Sequence, residues 1–248
     1  MYAVKNDTVR LYRYGSRIKA VYFKRGIRRV ERSVVAGEGE GREKLSSSLS
    51  RTRRRVYELA ACNDWDWFGT FTVDAAKHDR SDLGAFRKQL AQWLRNFGKR
   101  NDCKVRYLLV PELHADGENW HMHGLLAGLP PRFITDFEPG NHPQKLIDGG
   151  YQNWPQYAAK FGFCSLGAVR CGAAVSAYLL KYLTKDLAAA SHKSGAHLYY
   201  ASYGLQGAEC IAEGGTNADG LRLFSGGYEN EYLMIQWFDA GEKLPRLI

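Results

Sequence analysis

The chain has 248 residues, of which 45% are hydrophobic and 13% aromatic, and it carries a formal net charge of +9. This length suffices to bury a sizeable core, and the aromatic content excludes an intrinsically disordered chain. No apolar run approaches the roughly 18 residues of a membrane span, and residues 1–5 lack the apolar segment of a signal peptide. We therefore expect a soluble, cytoplasmic protein with no membrane partner.

The cysteines are widely spaced and never form a Cys-x-x-Cys pair. This spacing argues against a zinc site built from thiolates and against a disulfide framework. We expect all of them to be reduced thiols. They are Cys62, Cys103, Cys164, Cys171 and Cys210.

Positive charge is concentrated at the N-terminal end. Residues 1–32 contain ten Lys and Arg residues, against Asp7 and Glu31 as the acids. A second cluster consists of Arg51, Arg53, Arg54 and Arg55. Such runs often form a solvated surface, but their concentration favours a polyanionic partner, most commonly nucleic acid. We expect residues 1–45 to form a basic extension made of a hairpin and a linker.

The first half of the chain is predicted to contain a hairpin, a linker, two helices and a strand. Apolar alternation favours a β-hairpin over residues 8–23 that turns near Gly15, and the glycines of residues 37–41 indicate a linker. The following elements are a helix over Ser46–Cys62, a strand over Trp65–Val73, and a helix that is capped by Ser81 or Asp82 and ends near Gly98–Asn101.

The second half begins with two strands joined by a tight turn at Asp116-Gly117, which predicts a β-hairpin. Residues 130–161 are rich in proline and are predicted to be an irregular insertion. The predicted elements are strands over Val105–His114, Trp120–Ala127 and Phe163–Val169, a helix over Ala173–Leu187, and strands over Leu198–Ser202 and Tyr232–Phe238.

This order of elements indicates an α+β fold, with a central antiparallel sheet and helices packed on one side. We expect residues 46–210 to form the main domain, which includes the insertion at 130–161. Residues 211–248 are expected to supply C-terminal strands that pack on the same domain.

A candidate metal site lies in the predicted hairpin. His121 and His123 are two residues apart on a strand, so their imidazoles share a face. Glu112 and His114 lie on the adjoining strand, and either one is placed to complete the site. Two imidazoles and a carboxylate suit Mg²⁺ or Mn²⁺ with open positions. The alternative is a pair of ordinary, partly buried histidines.

The predicted helix over Ala173–Leu187 repeats a tyrosine followed three residues later by a lysine. At about 100° per residue, Tyr178, Lys181, Tyr182 and Lys185 fall within one quadrant of its surface. A phenol is a poor nucleophile at its ordinary pKa of about 10, so it needs positive charge nearby. The alternative is an amphipathic helix whose phenols are half-buried and whose lysines reach water.

Three short motifs resemble those of the HUH endonucleases. His121-Met-His123-Gly-Leu-Leu resembles their His-hydrophobic-His motif, and Tyr178-Leu-Leu-Lys181-Tyr182-Leu-Thr-Lys185 resembles the two-tyrosine motif of rolling-circle replication initiators. Phe71-Thr72-Val73-Asp74 is similar to their first motif, usually Phe-Thr-Leu-Thr, and departs from it at the last position. The resemblance spans roughly residues 65–205. Since no Walker motif follows, it is to compact phage or plasmid initiators.

The resemblance implies a ferredoxin-like or RRM-like βαββαβ fold and a metal-dependent endonuclease and strand transferase. His121, His123 and Glu112 would hold Mg²⁺ or Mn²⁺, and Tyr178 or Tyr182 would attack single-stranded DNA or an origin hairpin to form a 5′-phosphotyrosine. Lys181 and Lys185 would favour the phenolate and counter the charge at phosphorus.

Host helicase and polymerase are the further partners that the resemblance implies, in the cytoplasm of a bacterial host. Two alternatives are a related HUH transposase or relaxase, and a module that binds DNA without cutting it. The order in which the two tyrosines act is left open by the sequence, as are the origin and the oligomeric state.

Overall fold

The computed structural model describes residues 8–24, 40–194 and 196–248, without the side chains of residues 40–46, 185 and 191–194. The strands are β1 Thr8–Tyr14, β2 Arg17–Phe23, β3 Trp67–Thr72, β4 Arg106–Leu113, β5 Trp120–Ala127, β6 Thr135–Asp136, β7 Gln152–Asn153, β8 Cys164–Ala168, β9 Tyr200–Ala201, β10 Glu209–Gly214, β11 Tyr228–Glu229 and β12 Leu233–Phe238. The helices are α1 Glu40–Ala61, α2 Leu83–Asn101, α3 Gln144–Asp148, α4 Pro155–Lys160, α5 Gly172–Leu179, α6 Lys185–Ser194 and α7 Ala218–Arg222.

The larger of two compact units lies within Glu38–Leu205 and is built on a seven-stranded sheet. Its strand order is β6-β7-β8-β3-β5-β4-β9, and all of its pairs are antiparallel. Helices pack on this sheet through one continuous apolar core. The predicted α+β class with a central antiparallel sheet is confirmed.

The hairpin of β4 and β5 follows the predicted turn. Gly117 has a φ of +76°, a left-handed conformation that favours glycine, and Asp116 accepts hydrogen bonds from the two following backbone N–H groups at 118 and 119. Glu112 therefore pairs with His121 across the hairpin. Beside His123, Gly124 lies so close to β4 that an added Cβ would collide with the carbonyl oxygen of Leu108.

Helix α2 forms where capping and periodicity predicted it. The Asp82 side chain accepts a hydrogen bond from the backbone N–H of Ala85 at 2.8 Å, which satisfies a donor at the helix start. Its apolar residues at helical spacing are buried, among them Phe86, Leu90 and Leu94. The helix ends at Asn101, as expected.

Residues 130–161 are more ordered than the predicted irregular insertion. They contain a 3-10 turn at Pro131–Phe133 and the elements β6, α3, β7 and α4, and β6 and β7 extend the edge of the sheet. Trp154, Tyr157 and Phe161 are fully buried in the main core. The prolines that suggested irregularity occupy first-turn positions of the 3-10 turn and of α4, where proline is tolerated.

The predicted continuous helix over Ala173–Leu187 is wrong. Helix α5 ends at Leu179, a 3-10 turn covers Leu180–Tyr182, and Leu183 leaves the helical region with φ −82° and ψ 76°. A new helix, α6, begins at Lys185. Burial of Leu183 and the hydroxyl of Thr184, which accepts a hydrogen bond from Leu187 N at 3.0 Å, stabilise this break and cap the new helix.

The smaller unit is a five-stranded antiparallel sheet in the order β10-β1-β2-β12-β11. The hairpin predicted over residues 8–23 is confirmed, with Gly15 at its turn. The C-terminal strands were expected to pack on the main domain, but β10 and β12 pair with this hairpin instead. The reason is that β1 and β2 each have a free edge that only another strand can satisfy.

Part of the expected basic surface of the hairpin is neutralised by the C-terminal strands. Arg10 pairs with Glu213 at 2.9 Å and Arg17 with Asp239 at 2.7 Å, and Lys24 contacts Glu229. The other cations at this end are Lys5, Arg25, Arg28, Arg29 and Arg32, which lie outside the described residues. The described hairpin therefore offers less unpaired positive charge than its sequence indicates.

Candidate metal centre and tyrosine pair

Three side chains from two adjacent strands converge at one end of the hairpin. Nε2 of His121 lies 2.8 Å from Oε2 of Glu112, and Nε2 of His123 lies 2.7 Å from the same oxygen. One ligand atom from each residue lies within 4.8 Å of the other two. Cross-strand pairing of Glu112 with His121, and the two-residue period of β5, bring them to one face. This cluster could hold a metal ion.

The environment keeps both imidazoles neutral, the form that binds a cation. Burial lowers the pKa of His121, and burial together with the neighbouring His121 lowers the pKa of His123 to about 4. Nε2 of His123 is buried and makes no hydrogen bond within the described structure, despite its proximity to the carboxylate. A buried, unpaired nitrogen aimed at a carboxylate fits a cation-binding site.

Thr70 orients one of the imidazoles from the neighbouring strand. Its Oγ1 lies 3.1 Å from Nδ1 of His123, and the two residues are paired across β3 and β5. This contact leaves Nε2 of His123 facing Glu112, as partners behind a metal ligand commonly do. Thr70 was not predicted as a site residue.

His114, the other candidate for third ligand, lies outside the cluster. Its ring packs edge-on against that of His121, with centroids 4.3 Å apart, and its Nε2 is 3.5 Å from a guanidinium nitrogen of Arg80. The donor set of the described residues is therefore Glu112, His121 and His123.

The tyrosine pair lies directly against this cluster. The ring of Tyr182 stacks on His123 with centroids 4.0 Å apart and planes inclined by 17°. The two phenol oxygens of Tyr178 and Tyr182 are 3.3 Å apart. The structure thus brings together the residues of two motifs that lie more than 50 positions apart in the sequence.

Phe68 forms the base of the tyrosine pair and was missed in the sequence. Its ring packs edge-on against Tyr178 at 5.1 Å, and it stacks beside Tyr182 at 6.2 Å. Phe68 is two residues from Thr70 on β3, so strand alternation places both on one face. By contrast Phe71, the first residue of the predicted first motif, is buried in the core against Tyr157.

Lys181 makes the two phenols unequal. Its Nζ lies 3.4 Å from the centre of the Tyr178 ring and 5.1 Å from that of Tyr182. Hydrogen bonding to Lys181, and then to Tyr182, lowers the pKa of Tyr178, whereas burial raises the pKa of Tyr182 well above its ordinary range. Tyr178 is also 45% exposed. The side chain of Lys185 lies outside the described structure.

The chain was compared with known proteins. Residues 66–187 match the family model of the replication-associated protein ORF2. This is a family of rolling-circle replication initiators. The matched span is just under half of the chain, and it includes the three cluster residues and both tyrosines. Neither the curated proteins nor the solved structures gave a match.

The similarity supports a role in DNA replication, with DNA as the partner. Within the described residues, no helix has both the length and the apolar character needed to cross a membrane.

Proposed function

We propose that this protein initiates rolling-circle replication by nicking and rejoining single-stranded DNA through a 5′-phosphotyrosine intermediate. The observation that carries the proposal is the contact of the Tyr182 ring with His123, which places a pair of phenols against the Glu112, His121 and His123 cluster. A phenol beside a cation-binding cluster is the arrangement that attack on a phosphodiester needs.

Glu112, His121 and His123 are proposed to hold Mg²⁺ or Mn²⁺. Bound there, the ion would polarise a phosphate oxygen and so make the phosphorus more open to attack. Burial keeps the imidazoles unprotonated, and Thr70 holds the His123 ring in register. The carboxylate of Glu112 supplies the one negative charge of the set, which suits a hard divalent ion.

The proposed first step conserves the phosphodiester energy. The phenol loses its proton to solvent, its oxygen forms a bond to phosphorus, and the bond from phosphorus to the 3′ oxygen breaks. That oxygen takes a proton from solvent and becomes a 3′-OH that can prime synthesis. In the joining step a 3′-OH attacks the phosphotyrosine, the bond from phosphorus to the phenol oxygen breaks, and no nucleotide cofactor is consumed.

We propose that Tyr178 cuts first and that Tyr182 acts in the second transfer. Tyr178 is the more exposed phenol and has the Lys181 ammonium over its ring, which favours the phenolate. Tyr182 lies between Phe68 and His123 and is freed once Tyr178 moves with its DNA. Lys185 is proposed as a second cation for the charge at phosphorus.

The test is formation of a covalent adduct that survives denaturation. The full chain is incubated with Mn²⁺ and a randomised single-stranded oligonucleotide library, and the captured DNA is sequenced. A defined captured sequence and a phosphotyrosine at 178 or 182 are expected, with no adduct from His121→Ala. Absence of any adduct from the whole library would refute the proposal.

A variant pair separates nicking from simple DNA binding. Tyr178→Phe/Tyr182→Phe should lose the adduct while its affinity for the captured sequence is unchanged. Equal adduct formation by this double variant would place the nucleophile elsewhere. Host helicase and polymerase, in the cytoplasm of a bacterial host, are the partners proposed to act on the freed 3′-OH.

A further inference from the structure

A second basic surface lies at the other end of the larger sheet from the tyrosine pair. It is an open groove of about 770 Å³ between α2, the chain entering β4 and the segment that follows β9. Residues on its walls include Arg95, Lys99, Lys104, Tyr107, Ser202 and Tyr203. None of these residues belongs to the cluster or to the tyrosine pair.

The charge of this groove is positive and largely uncompensated. Arg95, Lys99 and Lys104 are exposed, and none of them forms an ion pair with another residue in the described ranges. Asp102 is the acid on the wall, and α2 itself contains five cations and no acidic residue. A row of unpaired cations along a groove attracts a phosphate backbone.

An aromatic ring stands at the rim of the groove. The side chain of Tyr203 is 96% exposed, which is unusual for a tyrosine with a fixed backbone next to it. Ser202 exchanges backbone and side-chain hydrogen bonds with Tyr107 at 2.9 and 3.0 Å, so the chain before Tyr203 is held on the sheet. A rigidly mounted, exposed ring beside cations is suited to stack on an unpaired base.

We infer that this groove binds single-stranded DNA, with the phosphates on Arg95, Lys99 and Lys104 and a base on Tyr203. The unpaired base favours a single strand over a duplex. Lys104 and Glu112 lie at opposite ends of β4, about 25 Å apart at the rise of a strand. The groove would therefore hold DNA that flanks the cut. The choice of DNA as the polyanion rests on the proposed function.

The inference is tested by binding alone, with the full chain in EDTA, so that no cutting is required. Fluorescence anisotropy measures the affinity for a labelled oligo-dT. Arg95→Ala/Lys99→Ala/Lys104→Ala should bind at least about tenfold more weakly, and its slope of log K against log salt should fall by about 2, because single strands release roughly 0.7 counterion per phosphate contact. The matched control, Lys88→Ala/Arg100→Ala/Lys145→Ala, removes the same charge outside the groove.

Tyr203 separates stacking from charge. Tyr203→Ala should weaken binding of oligo-dT about fivefold or more, the lower range for loss of one stacked base. Tyr203→Phe should bind as the unmodified chain does, and the affinity for a blunt duplex should not change in either variant. Thermal melting confirms that each variant is folded.

Three results would overturn the inference. They are equal weakening by the groove and control triple variants, an unchanged affinity of Tyr203→Ala, and displacement of oligo-dT by a polyglutamate peptide at lower concentration than by unlabelled oligo-dT. The last result would assign the groove to an acidic peptide. Failure of the nicking assay with this binding pattern intact would refute the proposed function and leave the groove as a DNA site.

Discussion

The Tyr182 ring stacks face to face on His123, with centroids 4.0 Å apart, while Nε2 of the same imidazole faces Glu112. One histidine therefore contacts both the proposed nucleophile pair and the proposed cation site. Any shift of that imidazole moves the phenol with it, so the geometry of the cluster and the placement of Tyr182 are coupled. Thr70, on the far side of the ring, helps to fix both.

The two tyrosines are predicted to be unequal in the first cut. Tyr178→Phe should slow formation of the first adduct at least about tenfold, or roughly 1.4 kcal/mol of barrier, because it removes the exposed phenol under Lys181. Tyr182→Phe should retain that adduct and lose strand transfer to a second oligonucleotide. Quenched-flow assays with peptide mass spectrometry measure both. Equal first-adduct rates in the two variants would contradict the assignment.

The third ligand is predicted to be Glu112 and not His114. Glu112→Gln should weaken Mn²⁺ binding by at least about tenfold in calorimetry, because it removes the charged oxygen that both Nε2 atoms face. His114→Gln serves as the matched control, since His114 lies next to His121 and contacts Arg80. A greater loss in His114→Gln would reverse the assignment.

Much of this site follows from local rules that a sequence carries. The turn at Gly117 sets the register of the hairpin, and the two-residue period of a strand then aligns Glu112, His121 and His123. Two steps suffice, and neither depends on distant parts of the chain. The choice between Glu112 and His114 did depend on them, because Arg80 comes from outside the hairpin.

The remaining features depend on contacts that spacing does not reveal. Helical periodicity continues past Leu183, so only Thr184, a residue common at helix starts, marked the break in the predicted helix. Phe68 and Thr70 became site residues only through the pairing of β3 with β5. The pairing of β10 with β1 joins residues about 200 positions apart, which no local pattern encodes.

Thr70 is predicted to act through the orientation of His123. Thr70→Val keeps the shape but removes the oxygen 3.1 Å from Nδ1, so the ring loses its restraint. Mn²⁺ affinity should fall about 10- to 100-fold, the range for partners that support a metal ligand. Thr70→Ser, which keeps the hydroxyl, should bind Mn²⁺ as the unmodified chain does. Loss of affinity in both variants would point to packing in place of the hydrogen bond.

Arg53 is predicted to hold the break after the tyrosine pair. Its Nε donates a hydrogen bond of 3.0 Å to the carbonyl oxygen of Leu183, a group that no helix satisfies. Arg53→Gln should therefore destabilise this segment locally by about 1 kcal/mol. Amide hydrogen exchange over residues 180–188 should become about fivefold faster, with the melting temperature little changed.

The neighbouring Arg54 supplies the control for this last prediction, since it is exposed on the same helix and has the same charge. Arg54→Gln should leave exchange over residues 180–188 unchanged. If both variants accelerate exchange equally, the charge of α1 stabilises the segment and the single hydrogen bond does not. If only Arg53→Gln does, the rate of first-adduct formation in that variant reports how tightly the tyrosine pair must be held.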